Sequence, residues 1–318
     1  MKKFWSILWM LPIAAVLAVG CQSDDITYSG PEYVSFSDTL STMPILNMDT
    51  TFSVPVTATT IADYDRNYAV EVVDGKTTAV RGLHYDFVDN SSNITIKAGE
   101  RTAFVKLKGY YDNVLRDDSL VINLRLIEPK SQKWDLYGNE TRVNMVKCHP
   151  FKMNDFLMIK DDQAQAQFTM MATFPFGEQT SEFDVKGYKK DDKTLMLTDM
   201  FGSANLGDIR VIFDDSDPLN LEVTVPEQPA FRDVNYGTIW VRSVVQYPSY
   251  FNTFDNFFVL ILDAYVPQIG SFGVYQYIFK CLSPDEAANE HNGAVTRGIA
   301  DRSLISTFKT TDFSLKRN

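Results

Sequence analysis

From Thr51 to Ala58 the chain alternates, with Phe52, Val54, Val56 and Ala58 apolar and Ser53, Pro55 and Thr57 between them. A period of two puts one set on each face of a pleated strand, so this stretch predicts a half-buried β-strand. The same alternation returns at Ile94 and Ile96, at Ala103, Val105 and Leu107, and at Leu120, Ile122, Leu124 and Leu126. Short strands punctuated by turn residues at this spacing predict a β-sandwich over residues 31–131. Residues 132–150 read as a linker. Beyond it, strands are predicted over 168–174, 181–185, 194–198, 209–213, 221–225, 237–244, 257–265 and 274–279. The run Phe257-Phe258-Val259-Leu260-Ile261-Leu262 is apolar on both faces and predicts a central strand. No stretch carries the 3.6-residue period of a long amphipathic helix. The expectation is an all-β chain of two tandem β-sandwich, immunoglobulin-like domains, at 31–131 and 151–285, with a polar tail over 286–318.

The front of the chain has a different pattern. Lys2 and Lys3 precede a continuous apolar run over 4–20, the charged and hydrophobic regions of a secretory signal occupying 1–20. The run is short for a membrane span. It ends in Leu17-Ala18-Val19-Gly20-Cys21, which resembles the lipobox of bacterial lipoproteins. That resemblance implies cleavage before Cys21 and lipid on its thiol, with residues 21–30 as the tether. At about 0.8 kcal/mol per buried methylene, two or three acyl chains hold a protein on a membrane almost irreversibly. Gln22-Ser23-Asp24-Asp25 then resembles the acidic surface-export signal of lipoproteins in gut-type Gram-negative bacteria. An outer-membrane, lipid-anchored, outward-facing protein is implied. An ordinary cleaved signal or an uncleaved anchor helix, and a merely soluble tether, are the alternative readings.

Within the first domain, Gly82-Leu83-His84-Tyr85, Ile94-Thr95-Ile96-Lys97-Ala98-Gly99-Glu100, Phe104-Val105-Lys106-Leu107 and Asp117-Asp118-Ser119-Leu120-Val121-Ile122-Asn123-Leu124 together resemble a Calx-beta-like domain. In calcium-binding members of that family, acidic residues of the end loops hold the ion. This chain has His84 where an aspartate would precede the tyrosine. Asp112, Asp117 and Asp118 still offer hard oxygen ligands, so calcium is the cofactor to test for, against a solvated acidic loop. In the second domain, Asp263-Ala264-Tyr265-Val266 to Gly270-Ser271-Phe272-Gly273, after Gly237-Thr238-Ile239-Trp240-Val241, resembles the C-terminal β domain of uncharacterised surface lipoproteins from nutrient-uptake loci.

Composition narrows the work. Of 318 residues, 45% are hydrophobic, enough for sizeable cores, and the formal charge of -11 argues against a nucleic-acid partner. Three histidines stand far apart, and no zinc-protease, P-loop or nucleophile-elbow motif occurs. The acid pairs Asp161-Asp162, Asp191-Asp192 and Asp214-Asp215, the last with Asp217 nearby, read either as β-turns or as glycosidase-type carboxylates. A non-catalytic protein is expected. Cys148 and Cys281 bracket the second domain, and an exported compartment permits either a disulfide or two buried thiols. The candidate binding residues are Tyr247, Tyr250, Phe251, Asn252, Phe254 and Asn256, aromatics interleaved with amides between two predicted strands. Such a loop suits the apolar face and hydroxyls of a sugar, or a protein partner, and its rings equally suit closure of the core. The expected role is a surface-anchored binding or accessory module for glycan capture in nutrient uptake. The rival is a structural or adhesive surface protein whose partner is a polypeptide, such as an outer-membrane protein.

Overall fold

The computed structural model describes residues 28, 30–134, 136, 138–159, 165–173 and 181–291. The signal segment, Cys21 and the export residues Gln22, Ser23, Asp24 and Asp25 therefore lie outside the described residues, as do Asp161 and Asp162. The chain divides between Lys147 and Cys148 into two compact units.

In the first unit, β1 (Val34–Phe36), β3 (Thr51–Ala58), β7 (Thr102–Gly109) and β5 (Tyr85–Phe87) form one sheet in that order. A second sheet runs β2 (Leu40–Ile45), β9 (Glu140–Lys147), β8 (Leu120–Ile127), β4 (Arg66–Val72) and β6 (Asn93–Ile96). The alternating residues do what their period requires. Val54, Val56, Ile96, Val105, Leu107, Ile122 and Leu124 from both sheets meet in one core, which makes this unit a sandwich. The linker expectation is corrected here. Glu140–Lys147 is a strand held between β2, which it meets in parallel, and β8, so the unit extends sixteen residues beyond Ser131 to Lys147.

The second unit is one antiparallel sheet. Its strands are β10 (Ala166–Ala172), β11 (Ser181–Lys189), β12 (Thr194–Thr198), β13 (Ile209–Asp214), β14 (Glu222–Thr224), β15 (Gln228–Asp233), β16 (Gly237–Ser243), β17 (Ser249–Asn252), β18 (Phe257–Val266) and β19 (Gly270–Leu282). The chain meanders from β10 to β14, and β14 then pairs with β17, β17 with β18, and β18 with β19. β19 returns to β10, with Gln167 opposite Leu282 and Ala172 opposite Tyr277. Eight strands thus close into a ring, and the two layers expected of a sandwich are arcs of a single closed sheet. β15 and β16 stand outside this ring. They form a hairpin that pairs through β16 with the far half of β18, Trp240 facing Tyr265 and Ser243 facing Leu262. β18 consequently has neighbours along both edges, as its two-sided apolar run demands, and nine of its ten residues are buried.

Two α-helices accompany the strands among the described residues, α1 (Met153–Phe156) and α2 (Pro284–His291). α2 corrects the front of the expected tail. The Ser283 hydroxyl accepts the Glu286 backbone N–H at 3.3 Å, while the Glu286 carboxylate accepts the Ser283 N–H at 2.8 Å. This reciprocal box satisfies two orphan donors and starts a helix where composition suggested only a polar tail.

Candidate functional site

The two ends of the barrel are built differently. At the end where β13 finishes and β18 begins, the short α1 drives Phe156 into the interior, 5.4 Å from Phe213 and 5.5 Å from Phe251 between ring centroids. Phe151 adds a second layer, 4.9 Å from Phe251 and stacked at 5.4 Å on Phe213. Edge-to-face rings fill a barrel end well, and this end is a packed plug.

The aromatic loop of the sequence reading lies beside that plug. Phe251 is 3% exposed and belongs to the core. Tyr250 is half-buried against Phe257, and burial raises its phenol pKa. Asn252 accepts the backbone N–H groups of Phe254 and Asp255 through Oδ1, at 2.9 and 3.1 Å, so its amide closes the turn. Phe254 packs on His149 at 5.7 Å, and Asn256 takes the left-handed conformation with φ 48°. Tyr247 is half-buried at the head of the loop. These residues are neighbours, and the local bonds they make hold the turn and the barrel end together.

The opposite end is less filled among the described residues. A cavity of about 360 Å³ lies there, lined by Phe183 and Asp184 of β11, by Asp199, Phe201 and Gly202 of the turn after β12, and by Phe231 of β15. The register explains the meeting. β11 and β12 are antiparallel with Lys186 opposite Thr198, so the start of one strand and the turn after the other share an edge of the ring. The turn is tight, with Asp199 and Gly202 both at positive φ and the Gly202 N–H donating to the Asp199 carbonyl at 3.0 Å. Phe231 arrives from the hairpin, where a bulge after Pro229 and the Leu206 N–H to Ala230 carbonyl bond at 2.9 Å tie β15 to the mouth. Phe201 and Phe231 lie 4.7 Å apart, and Phe201 meets the edge of the buried Tyr277 at 6.1 Å. These rings make a fixed wall. Phe183 is 37% exposed, and both carboxylates are exposed. Neither Asp184 nor Asp199 has a side-chain hydrogen bond or ion pair among the described residues, and Asp184, opposite Thr169, lies on the outer face of β11 while Phe183, opposite the buried Met170, lies on the inner one.

The acid pairs of the second unit are engaged. Asp191 accepts the Lys193 N–H and Asp214 the Ser216 N–H, both at 2.9 Å, and these bonds hold the two carboxyls below the usual carboxylate range. Asp215 is paired with Lys193, Asp192 with Lys189, and Asp217 accepts the Leu219 N–H. They are the turn residues of two hairpins. Asp118 likewise accepts the Leu115 N–H at 2.7 Å, Asp112 sits in a single 3-10 turn, and Asp117 is exposed. No three His, Cys, Asp or Glu side chains gather into a metal-binding group among the described residues, so Asp112, Asp117 and Asp118 form no calcium cage. His84 closes its own turn, its Nδ1 accepting the Val80 N–H at 2.9 Å.

Cys148 and Cys281 are both buried thiols and are not joined in a disulfide. Burial pushes the Cys281 thiol well above its ordinary range. Cys281 is therefore expected to resist iodoacetamide in the folded chain and to react once urea unfolds it, read by mass spectrometry. The linkage has a definite sign. Above about pH 8.5 the unfolded chain releases a thiol proton that the folded chain retains, so stability falls as pH rises. Urea midpoints at pH 8 and pH 10 should diverge more in the native chain than in Cys281→Ala.

The mouth was not singled out from sequence, although its signal exists as an aromatic beside an acid at the ends of adjacent strands, Phe183-Asp184 and Asp199-Met200-Phe201. Among solved structures, the fold is similar to a protein of unknown function from Bacteroides ovatus, 11% identical, covering 78% of this chain and 89% of that one with a TM-score of 0.33. An auxiliary nutrient binding protein from Bacteroides thetaiotaomicron is 13% identical over 80% of this chain and 94% of its own, with a TM-score of 0.29. CBD12 from CALX1.2 is 11% identical over 64% of this chain and 83% of its own, with a TM-score of 0.32. No family model and no curated protein matches the chain.

Proposed function

We propose that this chain is a non-catalytic, lipid-anchored protein of the outer surface that captures saccharides as an accessory to nutrient uptake. The observation that carries the reading is the cavity in the barrel mouth. Barrel mouths are a preferred place for small-ligand sites, and about 360 Å³ is at the small end of the roughly 300–1,000 Å³ such sites occupy. Phe183, 37% exposed, offers a phenyl surface for the C–H face of a sugar, and the exposed carboxylate of Asp199 at the rim offers an acceptor for its hydroxyls. Cys21 and the residues behind it supply the anchor and the export signal in this reading, and the first unit serves as a spacer.

Two measurements test it. Protease added to intact cells should digest the native chain, with Cys21→Ala as the unanchored control; protection until the envelope is broken would sink the surface reading. Calorimetric titration of the full chain with neutral oligosaccharides should show saturable binding that Phe183→Ala weakens about tenfold, consistent with the loss of roughly 1–2 kcal/mol of ring contact.

A further inference from the structure

The chain enters the first unit at an end built from four converging stretches. Val34 faces Ala58, Thr57 faces Thr102 and Arg66 faces Ile96, so the starts of β1, β4 and β7 lie with the finishes of β3 and β6. β8 finishes there too, since Ala69 faces Ile127, whereas β9 runs away from it and Lys147 lies at the opposite end. Residues 28–33, 59–65, 97–101 and 128–136 therefore meet beside the point of entry. Backbone bonds and rings tie them. The Thr59 N–H donates to the Tyr33 carbonyl at 2.9 Å, the Gly99 N–H donates to the Ala62 carbonyl at 2.8 Å, and Trp134 stacks on Tyr33 with centroids 5.4 Å apart.

This end exposes apolar and aromatic side chains together. Tyr28 is 44% exposed, Ile61 58%, Tyr64 56% and Leu136 79%. Scattered singly such residues are ordinary, but grouped on one loop end they mark a contact surface. Tyr33 and Trp134 are half-buried beside them. Tyr and Trp, each an apolar ring with one polar tip, are the side chains that settle at headgroup depth in a bilayer. Charge does not oppose such a contact. Within 28–33, 59–66, 97–101 and 128–134 the described residues include five cations and five anions, in a chain whose formal charge is -11. Lys130 and Lys133, both exposed just ahead of Trp134, supply ammonium groups for lipid phosphates.

The tether decides the occupant. Nine residues carry the chain from Cys21 to Gly30, a span of at most about 30 Å even when fully extended, so lipid on Cys21 keeps this end beside the bilayer. A tether that short gives an effective concentration on the order of millimolar, at which contacts too weak to hold a free protein suffice. We infer that this end of the first unit rests on the lipid surface, with Tyr28, Ile61, Tyr64, Trp134 and Leu136 at headgroup depth, and that the anchored protein is seated on the membrane. The inference rests on the lipid anchor of the proposed function and is independent of saccharide capture.

The test uses the full chain reconstituted in vesicles of equal parts phosphatidylethanolamine and phosphatidylglycerol, whose acyl chains carry bromine near the ester end as a contact quencher of tryptophan. Mass spectrometry of the Cys21 peptide reads acylation separately. Trp5→Phe/Trp9→Phe/Trp240→Phe leaves Trp134 as the sole tryptophan, and Trp5→Phe/Trp9→Phe/Trp134→Phe leaves Trp240. Relative to unbrominated vesicles, the first variant should lose at least about half its emission and the second should lose none. Adding Ile61→Ser/Tyr64→Ser to the first should restore most of that emission with acylation unchanged. Both side chains are exposed, so the fold is retained, which an unchanged urea midpoint checks. Unquenched Trp134 in an acylated chain, or equal quenching of Trp240, would overturn the membrane contact and leave the anchor standing. Quenching of Trp134 in a chain without lipid on Cys21 would support the contact and sink the anchor, and neither lipid nor quenching would sink both.

Discussion

Phe258→Ala should destabilise the second unit by about 3–5 kcal/mol and leave the first unit's unfolding transition in place. Phe258 is fully buried at the start of β18, stacked on Phe279 with centroids 4.5 Å apart and planes 4° from parallel. It also meets the edges of Phe168 and Phe213, both at 5.6 Å, and the plug ring of Phe156 at 6.4 Å. Removing it takes one ring from a cluster whose members come from β10, β13, β18, β19 and α1. Strands of a closed ring cannot move together to fill the gap without breaking the ladder, so the cavity term should persist alongside the transfer term. Urea unfolding gives the test, because Trp240 reports the second unit and Trp134 the first. A loss below about 1 kcal/mol would mean that the plug collapses freely, contrary to this account.

In the first unit, Glu32→Ala should cost about 2–3 kcal/mol, somewhat less than the 3–5 typical of breaking a fully buried pair. The Arg66 side chain is 2% exposed and its Nη1 meets Glu32 Oε1 at 2.7 Å, while Glu32 remains 24% exposed. Arg66 also donates to the Thr60 carbonyl at 3.1 Å and the Glu100 carbonyl at 2.7 Å, so one guanidinium gathers three segments. Taking away the carboxylate leaves that cation buried with carbonyl dipoles alone. Replacing both partners, as Glu32→Leu/Arg66→Met, removes the stranded charge, and the double variant should be more stable than Glu32→Ala. The opposite order would show that the carbonyl bonds, and not the carboxylate, hold Arg66 in place.

Much of the strand content was legible because period-two alternation reports which residues face inward, and the inward residues at β3, β6, β7 and β8 are those it named. Alternation is silent about neighbours. β9 carries Val143 and Met145 at the right spacing, yet its partner β2 lies some hundred residues away and pairs in parallel, a contact no local pattern announces. Closure of the second sheet was hidden for the same reason, since β10 and β19 read as two ordinary strands at opposite ends of a domain. The aromatic loop was legible as a cluster but not as to its job, because a ring that plugs a barrel and a ring that stacks on a sugar are the same residue. Phe183 and Phe231 are forty-eight positions apart and become neighbours of one space only once the ring closes.

The placement of the β15–β16 hairpin separates two tasks within one domain. Ring closure runs from β14 to β17 at the plug end, whereas β16 covers the mouth half of β18 and Phe231 on β15 supplies a wall of the mouth. A change at the exposed positions of the hairpin can therefore reshape what the mouth accepts, provided that Ala230, Ile239 and Val241 stay in the core and β16 keeps its pairing with β18. The scaffold can stay constant while the hairpin diversifies, and exchanging this one hairpin between related chains is a compact way to transplant a ligand preference.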